Sequence, residues 1–252
     1  MSMDKMLNQI IHGDCLEEMP TLPDKSIDMI LCDLPYGTTA CKWDTVIPFE
    51  PLWKEYKRLI KDNGAIVLTA SQPFTSALIM SNPDMFRYCW VWDKKLSTNV
   101  LHCNQMPLKR HEDVIIFYKK LPTYNPAMRK GKPRVKGMVS RSETNAKVIH
   151  KANQKTYTSD EYYPTTILEI SHAVMIGRMH PTQKPVALFE YLIRTYTNEG
   201  ETVLDNCIGS GTTAIAALNT GRFFIGIEKE EKYVEIARQR VEEAQNQPRM
   251  FI

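Results

Sequence analysis

Residues 202–218, TVLDNCIGSGTTAIAAL, constrain the fold more than any other stretch: a buried strand, a glycine turn and a helix follow without a spacer. Gly209 and Gly211 let the backbone turn tightly and approach a ligand, and the helix that follows offers its first amides to negative charge. A phosphate-cradling ATPase loop needs Gly-Lys-Ser/Thr, and no lysine stands here. A dinucleotide fingerprint needs a third glycine three residues on; Ala214 occupies that place, a tolerated substitute.

The next strand, RFFIGIE, ends in Glu228, placed to accept hydrogen bonds from both hydroxyls of a ribose. Asp205 closes the first strand beside the turn, where it could hold an ammonium group. A ligand with an adenosine, an amino-acid head and no pyrophosphate meets these groups: S-adenosylmethionine.

Similar alternation runs through the chain. Strands are expected at 9–13, 27–32, 64–70, 86–94, 113–120, 202–205 and 222–228. Helices are expected at 49–60, 73–80, 184–197 and beyond 230. Strands alternating with helices imply a mostly parallel twisted sheet covered on both faces. The connection from 86–94 to 113–120 lacks a helix, so one strand there runs antiparallel. Residues 121–172 are irregular by pattern and too long for a connector.

The totals close off several classes. Hydrophobic content of 43% and charged content of 24% fit a soluble globular protein. No apolar run is long enough to span a membrane, and the N-terminus lacks the pattern of a signal peptide. Six cysteines without a C-x-x-C pair argue against a zinc site or a disulfide scaffold, and for a reducing cytosol. A net charge of +3 hides an asymmetry: residues 119–159 hold eight Lys and three Arg against Glu143 alone, 11 − 1 = +10. Such a segment is either a solvated loop or a surface for a phosphate backbone. The second reading names Lys119, Arg129, Lys130, Lys132, Arg134, Lys136 and Arg141 as contacts to a phosphate backbone.

A second motif ends the strand at 27–32: Asp33-Leu34-Pro35-Tyr36-Gly37. DLPYG resembles the D-P-P-Y motif of amino-directed DNA methyltransferases, and DNCIGSGTT resembles their cofactor loop. GDCLEEMPTLPDKSIDMILCDLPYG, RHEDVIIFYKK and RMHPTQKPVALFEYLIRTYT are similar to further blocks of that family. The order, catalytic motif first and cofactor loop late, is that of its beta group.

The resemblance implies a Rossmann-like S-adenosylmethionine-dependent methyltransferase fold with a circularly permuted motif order. Its catalytic domain would be residues 1–120 and 173–252, with 121–172 the target-recognition insertion. It implies transfer of a methyl group to the exocyclic amine of adenine (N6) in DNA, with S-adenosylhomocysteine as product and no metal. Asp33 and the Leu34 carbonyl would hold the amine, with Pro35 stiffening the loop. Tyr36 would stack on a base flipped from the duplex. Asp14 and Cys15 would lie near the cofactor's adenine, and His180, Thr182 and Lys184 near its methionine end. Asp205, Gly209, Gly211, Thr212 and Glu228 complete the cofactor set. Trp43, Trp92 and Lys94 are candidates for the base channel.

Leu34 stands where the family carries proline; a leucine carbonyl accepts equally well, and Pro35 biases Leu34 toward an extended backbone. Cytosine N4, an RNA or protein-glutamine substrate, and a catalytically dead DNA-binding module remain as alternatives. A homodimer and a cognate restriction endonuclease stay open as partners, and a cytoplasmic, prokaryotic or phage setting is expected.

Overall fold

The computed structural model describes residues 5–38, 44–136, 156–172 and 183–246. They form two compact units, one of residues 1–125 and 166–252 and one of residues 126–165. The first unit carries eight strands: β1 (Gln9–His12), β2 (Ile27–Cys32), β3 (Ile60–Ala70), β4 (Phe86–Thr98), β5 (Lys109–Phe117), β8 (Ile167–Glu169), β9 (Thr202–Asp205) and β10 (Phe223–Glu228). Its helices are α1 (Cys15–Glu18), α2 (Phe49–Leu59), α3 (Phe74–Ser81), α4 (Val186–Tyr196), α5 (Thr212–Asn219) and α6 (Glu231–Asn246). The second unit carries β6 (Arg129–Lys136) and β7 (Tyr157–Tyr162).

The eight strands form one sheet in the order β1-β10-β9-β2-β3-β5-β4-β8. β5 runs against both neighbours, and every other adjacent pair is parallel. This is the expected mostly parallel sheet with one reversed strand.

Strand alternation splits the core into two layers. On β2 and β3, Ile30, Cys32, Ile66 and Leu68 face a layer closed by Leu52, Trp53 and Tyr56 of α2 and Phe74 of α3. Met29, Leu31, Ala65 and Val67 face the opposite layer, closed by α4, α5 and α6. Both faces are covered, which is why these strands read as unbroken apolar runs.

From β2 the chain crosses to β3 on one side, and from β9 to β10 on the other. β2 and β9 are themselves paired, through Met29–Val203 and Ile30–Leu204. The sheet therefore reverses its winding between them, and their carboxyl ends open a crevice at that switch point.

Several boundaries differ from the sequence expectation. Ile60 begins β3 rather than ending α2, because its helical spacing also suits the strand that pairs with Ile27. β5 starts at Lys109 and stops at Phe117, and β4 runs on to Thr98. Within 121–172, expected to be irregular, three strands form. β8 docks on β4 with Leu168 buried. In the second unit, β6 pairs antiparallel with β7. β6 reads RKGKPRVK, so pairing is its organising force and no apolar alternation announces it.

Candidate active site

The carboxyl ends of β2 and β9 open onto one cavity of about 600 Å³. It is lined by Asp33, Leu34, Pro35 and Tyr36 from the first motif. Asp205, Gly209 and Thr212 line it from the second, with Asp14, Cys15, Lys184 and Glu228 completing the wall. Residues distant in sequence meet here because the switch point places two strand ends side by side.

Asp33 sits just past β2 with both carboxylate oxygens engaged. Oδ1 accepts from the Tyr36 hydroxyl at 2.8 Å and from the Thr69 hydroxyl. Oδ2 accepts from Lys184 Nζ at 2.6 Å, a contact spanning 151 positions of chain. Two donors fill Oδ1, whereas Oδ2 keeps a lone pair for one further donor. The Tyr36 ring stacks on Phe74, centroids 5.2 Å apart, and the Lys184 ammonium lies 5.5 Å from its centroid. Burial, with Asp33 and Glu112 nearby, pushes the Tyr36 phenol well up, so it stays a donor to Asp33. Leu34 is buried. The loop beyond is pinned by buried Asp44, whose carboxylate accepts from the amides of Gly37 at 2.8 Å and Thr38 at 2.9 Å.

At the other strand end, Asp205 is 2% exposed. Its carboxylate accepts from the Cys207 amide at 3.0 Å and from the Thr213 hydroxyl. Among the described residues no cation pairs with it, and burial pushes its carboxyl up to about 7. A buried acid in that state gains most from a cationic ligand group. Glu228 turns one oxygen to the Gly209 amide (2.8 Å) and the other to the Glu230 amide (2.9 Å). Burial raises its carboxyl as well. Asp14 caps α1 through the Leu16 amide at 3.0 Å and pairs with Lys229 at 3.0 Å. The Leu16 amide, opposed by burial and helped by Lys229, holds the Asp14 carboxyl below its usual range. An amino-acid ammonium at Asp205 and a nucleoside toward Glu228 and Asp14 fit this donor and acceptor set.

Among the described residues no activated thiol lines the cavity. A hydrogen bond to Cys207, together with burial, pushes the Cys15 thiol far up. Burial raises Cys32 to about 12. Both are core cysteines, and neither is a thiolate nucleophile.

Several expected residues take other places. Gly211 does not line the cavity: at φ +84° it caps α5, and a Cβ there would lie 3.1 Å from the Ala237 Cβ of α6. Its missing side chain serves helix packing, whereas Gly209 (φ +52°) faces open space at the cavity wall. Trp92 is fully buried, its indole donating to the Ile170 carbonyl at 2.8 Å, so it belongs to the core. Lys94 does line the cavity, and Lys184 reaches the Asp33 end of it. His180, Thr182, Trp43 and Arg141 lie outside the described residues.

Of the basic set, Lys119 leans toward Asp62 at 3.8 Å in the first unit. Arg129, Lys130, Lys132 and Arg134 are exposed on β6 in the second. There Lys130 pairs with Asp160 at 3.6 Å and Arg134 lies over the Tyr162 ring at 5.5 Å. Lys136 ends the same strand. Glu112 and Asp44 are site residues that sequence reading missed; no local pattern marks an acid whose partners arrive from other segments.

A doubly covered sheet with a carboxylate at each of two adjoining strand ends is a Rossmann-like fold with its ligand crevice at the switch point. The particular family follows from comparison: the chain belongs to the DNA methylase family, whose model matches residues 27–239. It is 52% identical over 258 residues to the type II methyltransferase M2.DpnII of Streptococcus pneumoniae, covering 92% of this chain and 89% of that protein. The DNA adenine methyltransferase YhdJ of Escherichia coli is 26% identical over 252 residues, covering 93% and 83%. Among solved structures, the M1.HpyAVI–SAM complex superposes with a TM-score of 0.62 at 26% identity, covering 92% of this chain and 98% of that one. Among the described residues no helix is long and apolar enough to cross a membrane.

Proposed function

We propose that this chain is a site-specific DNA methyltransferase that uses S-adenosylmethionine to methylate the exocyclic amine of adenine, at N6. The observation that carries this reading is the single cavity shared by Asp33 and Asp205, one strand end for each reactant. Bound S-adenosylmethionine supplies a methyl group on a positively charged sulfur and departs as S-adenosylhomocysteine. Asp205 holds the ammonium of the donor's amino-acid head, and Glu228 with Asp14 receives its nucleoside.

At the β2 end, the free lone pair of Asp33 Oδ2 and the Leu34 carbonyl accept the two amine hydrogens. An exocyclic amine is a weak nucleophile because its lone pair is delocalised into the ring. Two fixed acceptors turn that lone pair out of the ring plane, and positioning with electrostatics supplies the rate. Tyr36 and Thr69 hold Asp33 in place. The base leaves the helix to reach them, with the Tyr36 ring, backed by Phe74, as a stacking surface. The basic β6 strand carries phosphate contacts as part of the recognition unit. A cytoplasmic setting, a second copy of this chain and a companion restriction endonuclease belong to the same proposal.

The direct test incubates purified protein, methyl-labelled S-adenosylmethionine and duplex DNA, then separates the nucleosides. Label in N6-methyladenine is expected. Label in N4-methylcytosine would reassign the base, and none in DNA would overturn the reading.

A further inference from the structure

A chain of four charged side chains crosses the cavity wall. Lys94 Nζ donates to Glu112 Oε1 at 3.0 Å. Glu112 Oε2 lies 3.3 Å from Lys184 Nζ, an ion pair outside hydrogen-bond geometry. Lys184 Nζ then donates to Asp33 Oδ2 at 2.6 Å. The two lysine side chains are 8% and 7% exposed, and all four residues line the cavity. Burial would discharge Lys184, but Asp33 and Glu112 hold it charged. Burial likewise pushes the Glu112 carboxyl up, and Lys184 with Lys94 more than offsets it. Two carboxylates therefore balance two ammoniums.

We propose that Glu112 is a positioning residue for methyl transfer: it holds Lys184 against Asp33 and balances the second ammonium, so that the cavity admits a sulfonium. The inference rests on the proposed use of S-adenosylmethionine. The sign of the charge decides it. Without Glu112, Asp33 alone would face Lys184 and Lys94, leaving one ammonium uncompensated at the Asp33 end of the cavity. There the donor's positive sulfur must approach the amine held at Asp33. Coulomb repulsion at a low effective dielectric then disfavours the charged donor and leaves its neutral thioether product unaffected. Glu112 also tethers Lys184 beside Asp33, where the lysine donates to Oδ2.

The test compares calorimetric affinities of the full-length protein for S-adenosylmethionine and S-adenosylhomocysteine, which share every group but the sulfonium methyl. Glu112→Gln keeps the shape and removes the charge. It is expected to weaken S-adenosylmethionine about tenfold relative to S-adenosylhomocysteine. Lys94→Gln should shift the same ratio toward S-adenosylmethionine. The double variant should return it to within about threefold of the wild type. Equal weakening of both ligands in Glu112→Gln, or an unmoved ratio, would overturn the inference. Should Glu112→Gln fail to fold, Lys94→Gln alone decides, and an unmoved ratio there overturns it too. Wild-type protein that binds neither ligand would instead refute the proposed function, so the two failures are distinguishable.

Discussion

Asp33 receives three side-chain donors before any substrate arrives, so its orientation is set by the folded protein and not by the DNA. Asp33→Ala is therefore expected to lower methyl transfer about a thousandfold or more. Affinity for neutral S-adenosylhomocysteine should stay within about threefold, measured by single-turnover transfer and calorimetry on the same preparation. Asp205 gives a pH signature. Its carboxyl is raised from 3.8 to about 7 by burial, so it must ionise before it can pair with the ligand ammonium. S-adenosylhomocysteine binding should tighten as pH rises from about 5.5 and level off above about 7.5, and Asp205→Asn should bind weakly with a flat profile. The same shift means that the ligand-free protein gains stability from the neutral acid at low pH and loses it as pH rises through about 7. Both acids were legible in the sequence, because a carboxylate closing an apolar run is conspicuous. Glu112 was not, since its meaning comes from Lys94 and Lys184, neither of which is a local neighbour in the chain.

The glycine turn divides its work between two positions that look alike in sequence. Gly211→Ala forces a Cβ at φ +84° and presses it against Ala237. It should lower the melting temperature by several degrees, about 1–3 kcal/mol, by disturbing the packing of α5 on α6. Gly209→Ala meets no neighbour, so a smaller stability loss is expected, with the effect falling on S-adenosylhomocysteine affinity. Thermal melts and titrations of the two variants separate these roles. The regular elements were legible where burial on both faces makes an apolar run, as in β2 and β9. β6 and β7 were not, because a polar two-stranded ribbon shows no apolar period, and β8 is only three residues long.

For the whole molecule, the order of motifs and the charge asymmetry were legible from sequence, and the second underlies the proposed phosphate contacts of β6. Replacing Lys130, Lys132 and Arg134 together with Gln should weaken duplex binding at low salt. It should also flatten the plot of log affinity against log salt by about 0.9 for each phosphate no longer neutralised. An unchanged slope in fluorescence anisotropy would return β6 to an ordinary solvated strand. The meeting of the two motifs in one cavity was legible only as topology: the switch point predicts adjoining strand ends, while the pairing of Lys184 with Asp33 required the fold itself.

The proposed mechanism centres on neighbouring strand ends that share one cavity, one for a nucleobase amine and one for a methyl donor. Sequencing DNA from a methylation-free host that expresses the wild type or Asp33→Ala tests it most directly. N6-methyladenine at one short sequence is predicted with the wild type, and no mark with an Asp33→Ala protein that still binds S-adenosylhomocysteine. A mark that persists without Asp33, or a folded wild type that leaves none, would contradict it.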